Sequence, residues 1–492
     1  MKLADLLRDV AVESSSGDMS REISAVTADS RLVRRGSLFV AIAGLQKDGA
    51  EFIPQAVEKG AAAIVAGAGE APTSAALPFV RVSDARAALA RIAANFHGRP
   101  ADKLTLVGVT GTSGKTTTTK MIESIFDATG DPVGLIGTIE YRAGDERLVA
   151  DRTTPDAALL QEWLAKMVAA RVRRAVMEVS SHALVLKRTH GIRFAAAVFT
   201  NLSRDHFDFH NDFEDYFAAK KLLFDQIDRS RRTAVVNADD EFGRRLAREL
   251  GAAALTFGRT KEADIRPADD FAIDVRGLRG RVITPSGAVQ VDSSLLGFPN
   301  LSNWLAAIGA ALVVGVPIRN IEEGIRNLQS VRGRFERVPL PGPTVIVDYA
   351  HKPDALEKLL KAVRELAGPK RVVVLFGCGG DRDKGKRPQM GEIAARLSDL
   401  AVITSDNPRG ENPETILDEI ERGMGGKKHE RIADRRAAIA RAIETASEED
   451  VIVLAGKGHE SYQVIGDQVV HFDDREEAEL ALKKRADKAV PK

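Results

Sequence analysis

The stretch LTLVGVTGTSGKTTTTKMIESIFDATG, residues 104–130, decides how this chain folds. LTLVGV is an apolar run of strand length, and KMIESIFDATG has helical spacing that ends on glycine. Between them, GVTGTSGKTTTT (108–119) leaves a strand through glycines and opens a helix, the context that a phosphate loop requires. Gly111 and Gly114 let the backbone approach phosphate oxygens, Lys115 brings a positive charge, and the helix N-terminus adds its dipole. Thr116 has the hydroxyl position that usually touches Mg²⁺. The longer common form of the loop needs a glycine where Val109 stands, so the shorter GTSGKT form is present. The expected nucleotide contacts are Gly111, Thr112, Ser113, Gly114, Lys115, Thr116 and Thr117.

Outward from that loop, the chain reads as α/β in three blocks. Residues 1–100 hold short strands (GSLFVAIAG, AAAIVAG, PFVRV) and the helical ARAALARIAANFHG. Residues 101–332 alternate strand-length apolar runs with helical stretches, the signature of βαβ units and a parallel sheet. AIDVRG, RVITPS and AVQVDS instead alternate in polarity and suggest an antiparallel hairpin layer. SVRGRFERVPLPGPT reads as a linker, after which 333–492 alternate again as a smaller doubly wound unit.

Bulk properties narrow the function classes. With 71 basic and 70 acidic residues the net charge is +1, which gives no basic excess for nucleic acid. A single cysteine, Cys378, excludes a disulfide framework and fits a reducing compartment. The opening MKLADLLRDVAVESS carries acids within its apolar pattern, so no signal peptide is expected, and no apolar run suffices to span a bilayer. A cytoplasmic protein is expected.

Other polar segments end strands. VMEVSSHAL (176–184) places Glu178 on a sheet rim, where a carboxylate suits Mg²⁺. FTNLSRDHFDFHNDFEDYFAAKKLLF (199–224) groups Asp205, His206, Asp208, His210 and Lys220. The spacing of His206 and His210 raises zinc, but Asn201, Ser203 and Asp208 argue for a loop, and no cysteine or third histidine supports that metal. DYAHKPDAL (348–356), GCGGDRDKGKRP (377–388), SDNPRGENP (405–413) and AGKGHESYQ (455–463) are four more strand-terminal loops. Such loops converge at the carboxyl edge of a parallel sheet, so they are expected to line one crevice. Arg382, Asp383, Lys384, Lys386, Arg387, Lys457, His459 and Glu460 are its charged or polar candidates.

In this order, GTSGKTT, EVSSHAL, TNLSRDHFDFH with its downstream AAK, GRFE, DYAHKPDAL, GCGGDRDKGKRP, DNPR and AGKGHE resemble the bacterial Mur ligases. The closest pattern is that of the member adding the third residue of the peptidoglycan stem peptide. The resemblance extends to TADSRLVRRGSLFVAI near the N-terminus. It implies three α/β domains: a UDP-binding domain, a central P-loop ATPase with a parallel sheet, and a Rossmann-like domain for the incoming amino acid. It also implies a reaction in which the carboxylate of UDP-MurNAc-L-Ala-D-Glu is phosphorylated by ATP and the amine of meso-diaminopimelate then attacks the acyl phosphate. Small-molecule substrates are implied, with no nucleic acid and no membrane insertion. The alternatives are a lysine-adding or other superfamily ligase, or a nucleotide switch that joins nothing.

Residue by residue, the resemblance implies catalytic roles for Lys115, Lys220 and His206. Mg²⁺ is implied at Thr116, Glu178, His206 and Lys220, the lysine modified by CO₂ to a carbamate (N6-carboxylysine). Asn300 and Asn303 in GFPNLSN, Arg334 and Asp348 resemble adenine- and ribose-side residues. Arg334 and Asp348 lie past the linker, so the resemblance implies that ATP is enclosed by closure of the third domain. Ser30, Gln46, Thr153, Thr154, Ser180 and Arg188 resemble UDP-MurNAc-dipeptide contacts. The family often has asparagine where this chain has Arg152, and glutamine where it has Leu186. For diaminopimelate the implied contacts are Arg382, Asp406, Asn407, Pro408, Arg409, Gly456 and Glu460. A guanidinium grips a carboxylate through two parallel hydrogen bonds, so Arg409 favours an amino acid with a distal carboxylate over lysine. Glu460 can pair with the distal ammonium.

Overall fold

The computed structural model describes residues 1–44, 47–67 and 77–489. The chain falls into two compact units: Met1–Arg266 with Leu305–Gly324, and Pro267–Trp304 with Ile325–Lys492.

The first unit opens with α1 (Leu3–Leu6) and a five-stranded sheet of β1 (Val12–Ser16), β2 (Ala25–Thr27), β3 (Ser37–Ala41), β4 (Ala63–Ala66) and β5 (Phe79–Val82) in the order β1-β5-β4-β3-β2. The expected apolar runs form β3, β4 and β5, which are parallel to one another, while β1 is antiparallel to β5. All five residues of β1 are exposed, so no apolar alternation marked it. After α2 (Ile53–Glu58), α3 (Ala85–Phe96) starts at Asp84, whose carboxylate accepts from the Arg86 and Ala87 amides.

The central sheet carries β6 (Thr105–Thr110), β7 (Val133–Ile136), β8 (Glu140–Ala143), β9 (Glu146–Val149), β10 (Arg174–Glu178), β11 (Ala196–Phe199), β12 (Ala234–Asn237) and β13 (Ala254–Phe257). Their order is β13-β12-β11-β6-β10-β7-β8-β9. The middle strands are parallel and buried on both faces, hence their continuous apolar sequences. The helices α4 (Lys115–Asp127), α5 (Ala157–Ala169), α6 (Ser181–Val185), α7 (Phe213–Lys221) and α8 (Glu241–Leu250) lie between them in sequence. The antiparallel β8–β9 edge departs from the expected all-parallel pattern. Register puts Glu178 beside Val109 and Phe199 beside Thr110, so β10 and β11 end on either side of the phosphate loop.

In the second unit, after the two-residue β14 (Arg266–Pro267), β15 (Ala272–Asp274), β16 (Gly277–Thr284) and β17 (Gly287–Ser293) form the expected antiparallel layer. Six strands make the main sheet: β18 (Glu336–Arg337), β19 (Thr344–Asp348), β20 (Val372–Phe376), β21 (Leu400–Ile403), β22 (His429–Arg431) and β23 (Val451–Ala455). The order is β18-β19-β23-β20-β21-β22, parallel apart from β18. Helix α9 (Gly297–Val313) belongs to the second unit up to Trp304 and to the first from Leu305, and α10 (Ile318–Asn327) to the first up to Gly324. Helices α11 (Pro353–Ala367), α12 (Lys386–Leu397), α13 (Pro413–Glu421), α14 (Arg435–Thr445) and α15 (Asp474–Ala489) complete the second unit, with a hairpin of β24 (Tyr462–Ile465) and β25 (Gln468–His471).

Two local expectations change. The stretch read as a linker contributes β18, fixed because buried Glu336 accepts from the Gly333 amide at 2.7 Å and pairs with Arg475 at 2.7 Å. Arg387, read as a loop cation of the crevice, lies inside α12 with no side-chain exposure. Glu411 and Glu419, at 2.9 and 2.7 Å, take up its charge. Among the described residues, no helix is long and apolar enough to cross a membrane.

Candidate active site

The phosphate loop is shaped by what lies behind it. Gly111 has φ +148°, and a Cβ there would fall 1.9 Å from Thr200 Oγ1, so only glycine fits. The end of β11 braces the loop from that side. Thr200 Oγ1 donates to Ser113 O at 2.6 Å, Asn201 O accepts from the Thr112 amide at 2.9 Å, and Asn201 Oδ1 accepts from the Ser113 amide at 3.0 Å. Lys115 Nζ donates to the Gly111 and Thr112 carbonyls at 2.8 and 3.0 Å, which keeps its charge over the loop. Asn201 is a bracing residue that sequence reasoning used only as a loop marker. Thr117 is buried as the third residue of α4.

Buried Glu178 ties the loop to the next strand ends. Its Oε2 accepts from Thr116 Oγ1 at 3.1 Å and Thr138 Oγ1 at 3.0 Å, and its Oε1 from the Thr138 amide at 2.8 Å. A carboxylate and a threonine hydroxyl together at the end of a phosphate loop are the hard oxygen donors that Mg²⁺ takes, so these residues fit that ion. Thr153 Oγ1 lies 3.0 Å from Thr138 Oγ1, and Thr154 Oγ1 donates to Glu178 O at 2.9 Å. The Ser180 amide donates to Thr154 Oγ1 at 3.2 Å, and Arg188 donates to Thr154 O at 2.7 Å. Four of the expected dipeptide contacts (Thr153, Thr154, Ser180, Arg188) therefore form one cluster on the Glu178 rim. Arg152 is exposed, though its carbonyl is held by Tyr141 Oη at 2.5 Å. Ser30 follows β2, with its carbonyl bound by Lys59 at 3.0 Å. Gln46 lies outside the described residues.

Lys220, the last residue but one of α7, is almost wholly buried, its Nζ 2.9 Å from Gly111 O and 4.2 Å from the centre of the Tyr216 ring. Burial, reinforced by the charge of Lys115, pushes its ammonium well below the usual lysine range. His206 holds a left-handed backbone, φ +56°, with Nε2 3.5 Å from Asp205 Oδ2 and its ring 4.9 Å from that of His182. His210 turns away from a metal role: it is buried, 2.9 Å from Ser181 Oγ and stacked on Tyr216 at 4.7 Å. Among the described residues there is no group of three or more His, Cys, Asp or Glu side chains able to hold a metal. As an ammonium Lys220 cannot ligate Mg²⁺, so it fits that ion only as a carbamate.

The expected adenine and ribose residues lie in the second unit. Asn300 is buried in α9, donating to Leu296 O at 2.9 Å, with Asn303 3.4 Å from its Oδ1. Asp348 accepts from the Phe335 and Ala350 amides, both at 2.8 Å, while burial raises its pKa against the pull of Arg334. Arg334 stacks 4.9 Å from the centre of the Tyr349 ring.

The DNPR and GKGHE loops meet in the same unit. Asn407 Nδ2 donates to Glu460 Oε2 at 3.0 Å, and its Oδ1 accepts from Lys457 Nζ at 3.1 Å and the Val464 amide at 3.0 Å. Lys457, with no side-chain exposure, lies 3.5 Å from Asp406 and 3.7 Å from Glu460. Burial and then Asp406 raise the Glu460 pKa, against the pull of Lys457. Gly456 faces Asp406: a Cβ on it would sit 3.4 Å from Oδ2. Arg409 keeps a left-handed backbone, φ +50°, fixed by its amide to Val464 O at 3.0 Å and by its carbonyl, which accepts from the Gly466 amide at 2.8 Å. Strained backbone of that kind persists where the surroundings over-determine it. Its Nη1 donates to Gly380 O at 2.9 Å. A Cβ on Gly379 would lie 2.8 Å from Arg409 Nη1 and 3.8 Å from Arg382 Cγ, so both arginines border that glycine. Pro408 packs against Gly380, where a Cβ would come within 1.8 Å of its carbonyl. Lys457 was read only as one charge on a rim; its burial between two carboxylates and an amide was not visible in a glycine-rich loop.

Three family models match in succession: the Mur ligase family catalytic domain over residues 22–97, the Mur ligase middle domain over 109–311, and the Mur ligase glutamate ligase domain over 333–458. The chain is 49% identical over 467 residues to the UDP-N-acetylmuramoyl-L-alanyl-D-glutamate–2,6-diaminopimelate ligase of Gloeobacter violaceus, with 94% of each chain covered. It is 44% identical to the protein of the same name from Geobacter sulfurreducens, covering 98% of this chain and 99% of that one. A solved structure of a ligase of that name superposes with a TM-score of 0.72 at 30% identity, over 99% of each chain. MurF ligase from Thermotoga maritima, solved in complex with ADP, shares the fold at TM-score 0.60 and 18% identity, over 96% of this chain and 99% of that one. The three successive matches fit a three-domain α/β arrangement, and the chain belongs to the Mur ligase family.

Proposed function

We propose that this chain adds meso-2,6-diaminopimelate to UDP-N-acetylmuramoyl-L-alanyl-D-glutamate at the expense of ATP, supplying peptidoglycan precursor in the bacterial cytoplasm. The observation that carries the choice of amino acid is the pocket of Arg409, Asn407 and Glu460. Arg409 offers a planar donor pair to a carboxylate, and Glu460, beside Asn407, offers an acceptor to an ammonium. Lysine has no distal carboxylate and would leave the guanidinium without its anion. The relatives named for diaminopimelate support the same reading.

The D-glutamate γ-carboxylate attacks the γ-phosphorus of ATP, the bond to ADP breaks, and an acyl phosphate forms. The amine nitrogen, having lost its proton, attacks the acyl carbon, and the C–O bond to phosphate breaks. Both partners of the first step are anions, so the site must supply positive charge and alignment. Lys115 and the amides of the phosphate loop do this for the phosphates, and Thr153, Thr154, Ser180 and Arg188 orient the dipeptide. Thr116 and Glu178 would hold Mg²⁺, which adds Lewis-acid charge to the phosphoryl oxygens. Lys220 is favoured by its burial as the neutral amine, the form that takes up CO₂, and His206, whose ring lies 6.3 Å from the same Tyr216 ring that Lys220 overlies, is the second metal contact. Asn300, Asn303, Arg334 and Asp348 serve the nucleoside. Residues 1–100, 101–332 and 333–492 are the proposed UDP-sugar, ATP and amino-acid domains.

The mechanism is tested with dipeptide substrate carrying ¹⁸O in the γ-carboxylate. One labelled oxygen should appear in the released phosphate, because the C–O bond breaks on the acyl side. Phosphate free of label would rule out the acyl phosphate.

A further inference from the structure

Behind the acceptor pocket lies an ion pair that the reaction as described does not use. Arg435, the first residue of α14, and Asp474, the first of α15, both have fully buried side chains. Arg435 Nε and Nη2 donate to the two Asp474 oxygens at 2.7 and 2.6 Å. The remaining donors reach two main-chain carbonyls, Nη1 to Ser405 at 3.3 Å and Nη2 to Ala455 at 3.0 Å. Ser405 directly precedes Asp406 and Asn407, and Ala455 directly precedes Gly456 and Lys457. These loops leave β21 and β23, which are not neighbours because β20 lies between them. The sheet ladder therefore does not fix one loop against the other; at the pocket the Asn407 side chain joins them through Lys457, Glu460 and the Val464 amide, and behind it the guanidinium fork joins their main chains.

We propose that Arg435, oriented by Asp474, is a positioning residue that sets the spacing between the DNPR and GKGHE loops and thereby the affinity for the diamino acid. A buried ion pair adds little net stability over an apolar pair of the same volume, so geometric specificity is its best use here. The planar fork has enough donors for a carboxylate and two carbonyls together, whereas an ammonium on a flexible stem cannot hold that geometry. Asp474 begins a helix, whose N-terminus favours its negative charge. The inference rests on the proposed function, since it concerns how that pocket takes its amino acid.

The test compares the full-length wild type with Arg435→Met, Arg435→Lys and Asp474→Asn in an ADP-release assay, with KM measured for each of the three substrates. Arg435→Met should raise the KM for meso-diaminopimelate by about 10-fold or more, as expected when pocket groups shift by about 1 Å. Asp474→Asn should raise it less, Arg435→Lys should recover part of the loss, and the KM values for ATP and the UDP-dipeptide should stay near wild type. A uniform rise in all three KM values would overturn the inference, as would a lowered melting temperature with no change in the diaminopimelate KM. Failure of all three variants to fold would also overturn it, because the pair would then be a folding element. Wild-type protein that turns over no diaminopimelate would instead refute the functional reading on which the inference stands.

Discussion

Arg409 and Lys220 carry the chemical claims most sharply. Arg409 is held in a left-handed conformation by two main-chain hydrogen bonds to the β24–β25 hairpin, and Gly380 O holds its guanidinium at 2.9 Å. Arg409→Ala should raise the KM for diaminopimelate by the equivalent of about 2–5 kcal/mol while leaving the ATP KM nearly unchanged. Equal effects on both would contradict a dedicated carboxylate grip. Lys220 is a buried amine whose pKa is lowered by burial and by Lys115. Lys220→Ala should nearly abolish ligation, and a short-chain carboxylate should restore part of it in a steady-state assay. No rescue at any concentration would count against an anionic group at that position.

Among the elements, the end of β11 and the phosphate loop act as one piece. Asn201 links them through its carbonyl and through both side-chain polar atoms, which bond the Ser113 amide and carbonyl at 3.0 and 3.2 Å. Asn201→Ala should raise the ATP KM roughly 10-fold, the cost of about one to two lost hydrogen bonds, with the diaminopimelate KM unaffected. The strands β6, β10, β11, β19, β20, β21 and β23 were legible because parallel strands covered on both faces must be continuously apolar. β1 and β9 were not, since every residue of both is exposed and their placement comes from pairing alone. Likewise the polar sequence GKRP gave no sign that α12 begins at Lys386 and buries Arg387, because two glutamates distant in sequence neutralise that charge. The loop residues of the site were legible as types at strand ends. Their partners, such as Lys457 with Asn407, were not, because the contact joins segments 50 residues apart.

For the whole molecule, stability should carry the mark of a half-buried imidazole. His459 is depressed to about 4, first by burial and then by Arg334 and Arg332, and its buried Nδ1 has no hydrogen-bond partner among the described residues. The folded form thus stays neutral where the unfolded chain, with an ordinary value near 6.5, takes up a proton. Unfolding then binds protons, so stability rises with pH and is lost as pH falls from about 6.5 towards 4. At pH 5 the loss from this group is about 2 kcal/mol. In urea unfolding at pH 7.5 and pH 5, His459→Gln should lose less of its midpoint than wild type; an identical loss would contradict the assignment.

The central claim, that this ligase adds a diamino acid with a distal carboxylate, is tested most directly by ADP release. Protein, ATP, Mg²⁺ and UDP-MurNAc-L-Ala-D-Glu are combined with meso-diaminopimelate, with L-lysine, or with no amino acid. Turnover with diaminopimelate alone is the expected result. Turnover with lysine in its place would contradict the role given to Arg409, and release without any amino acid would contradict a coupled ligase.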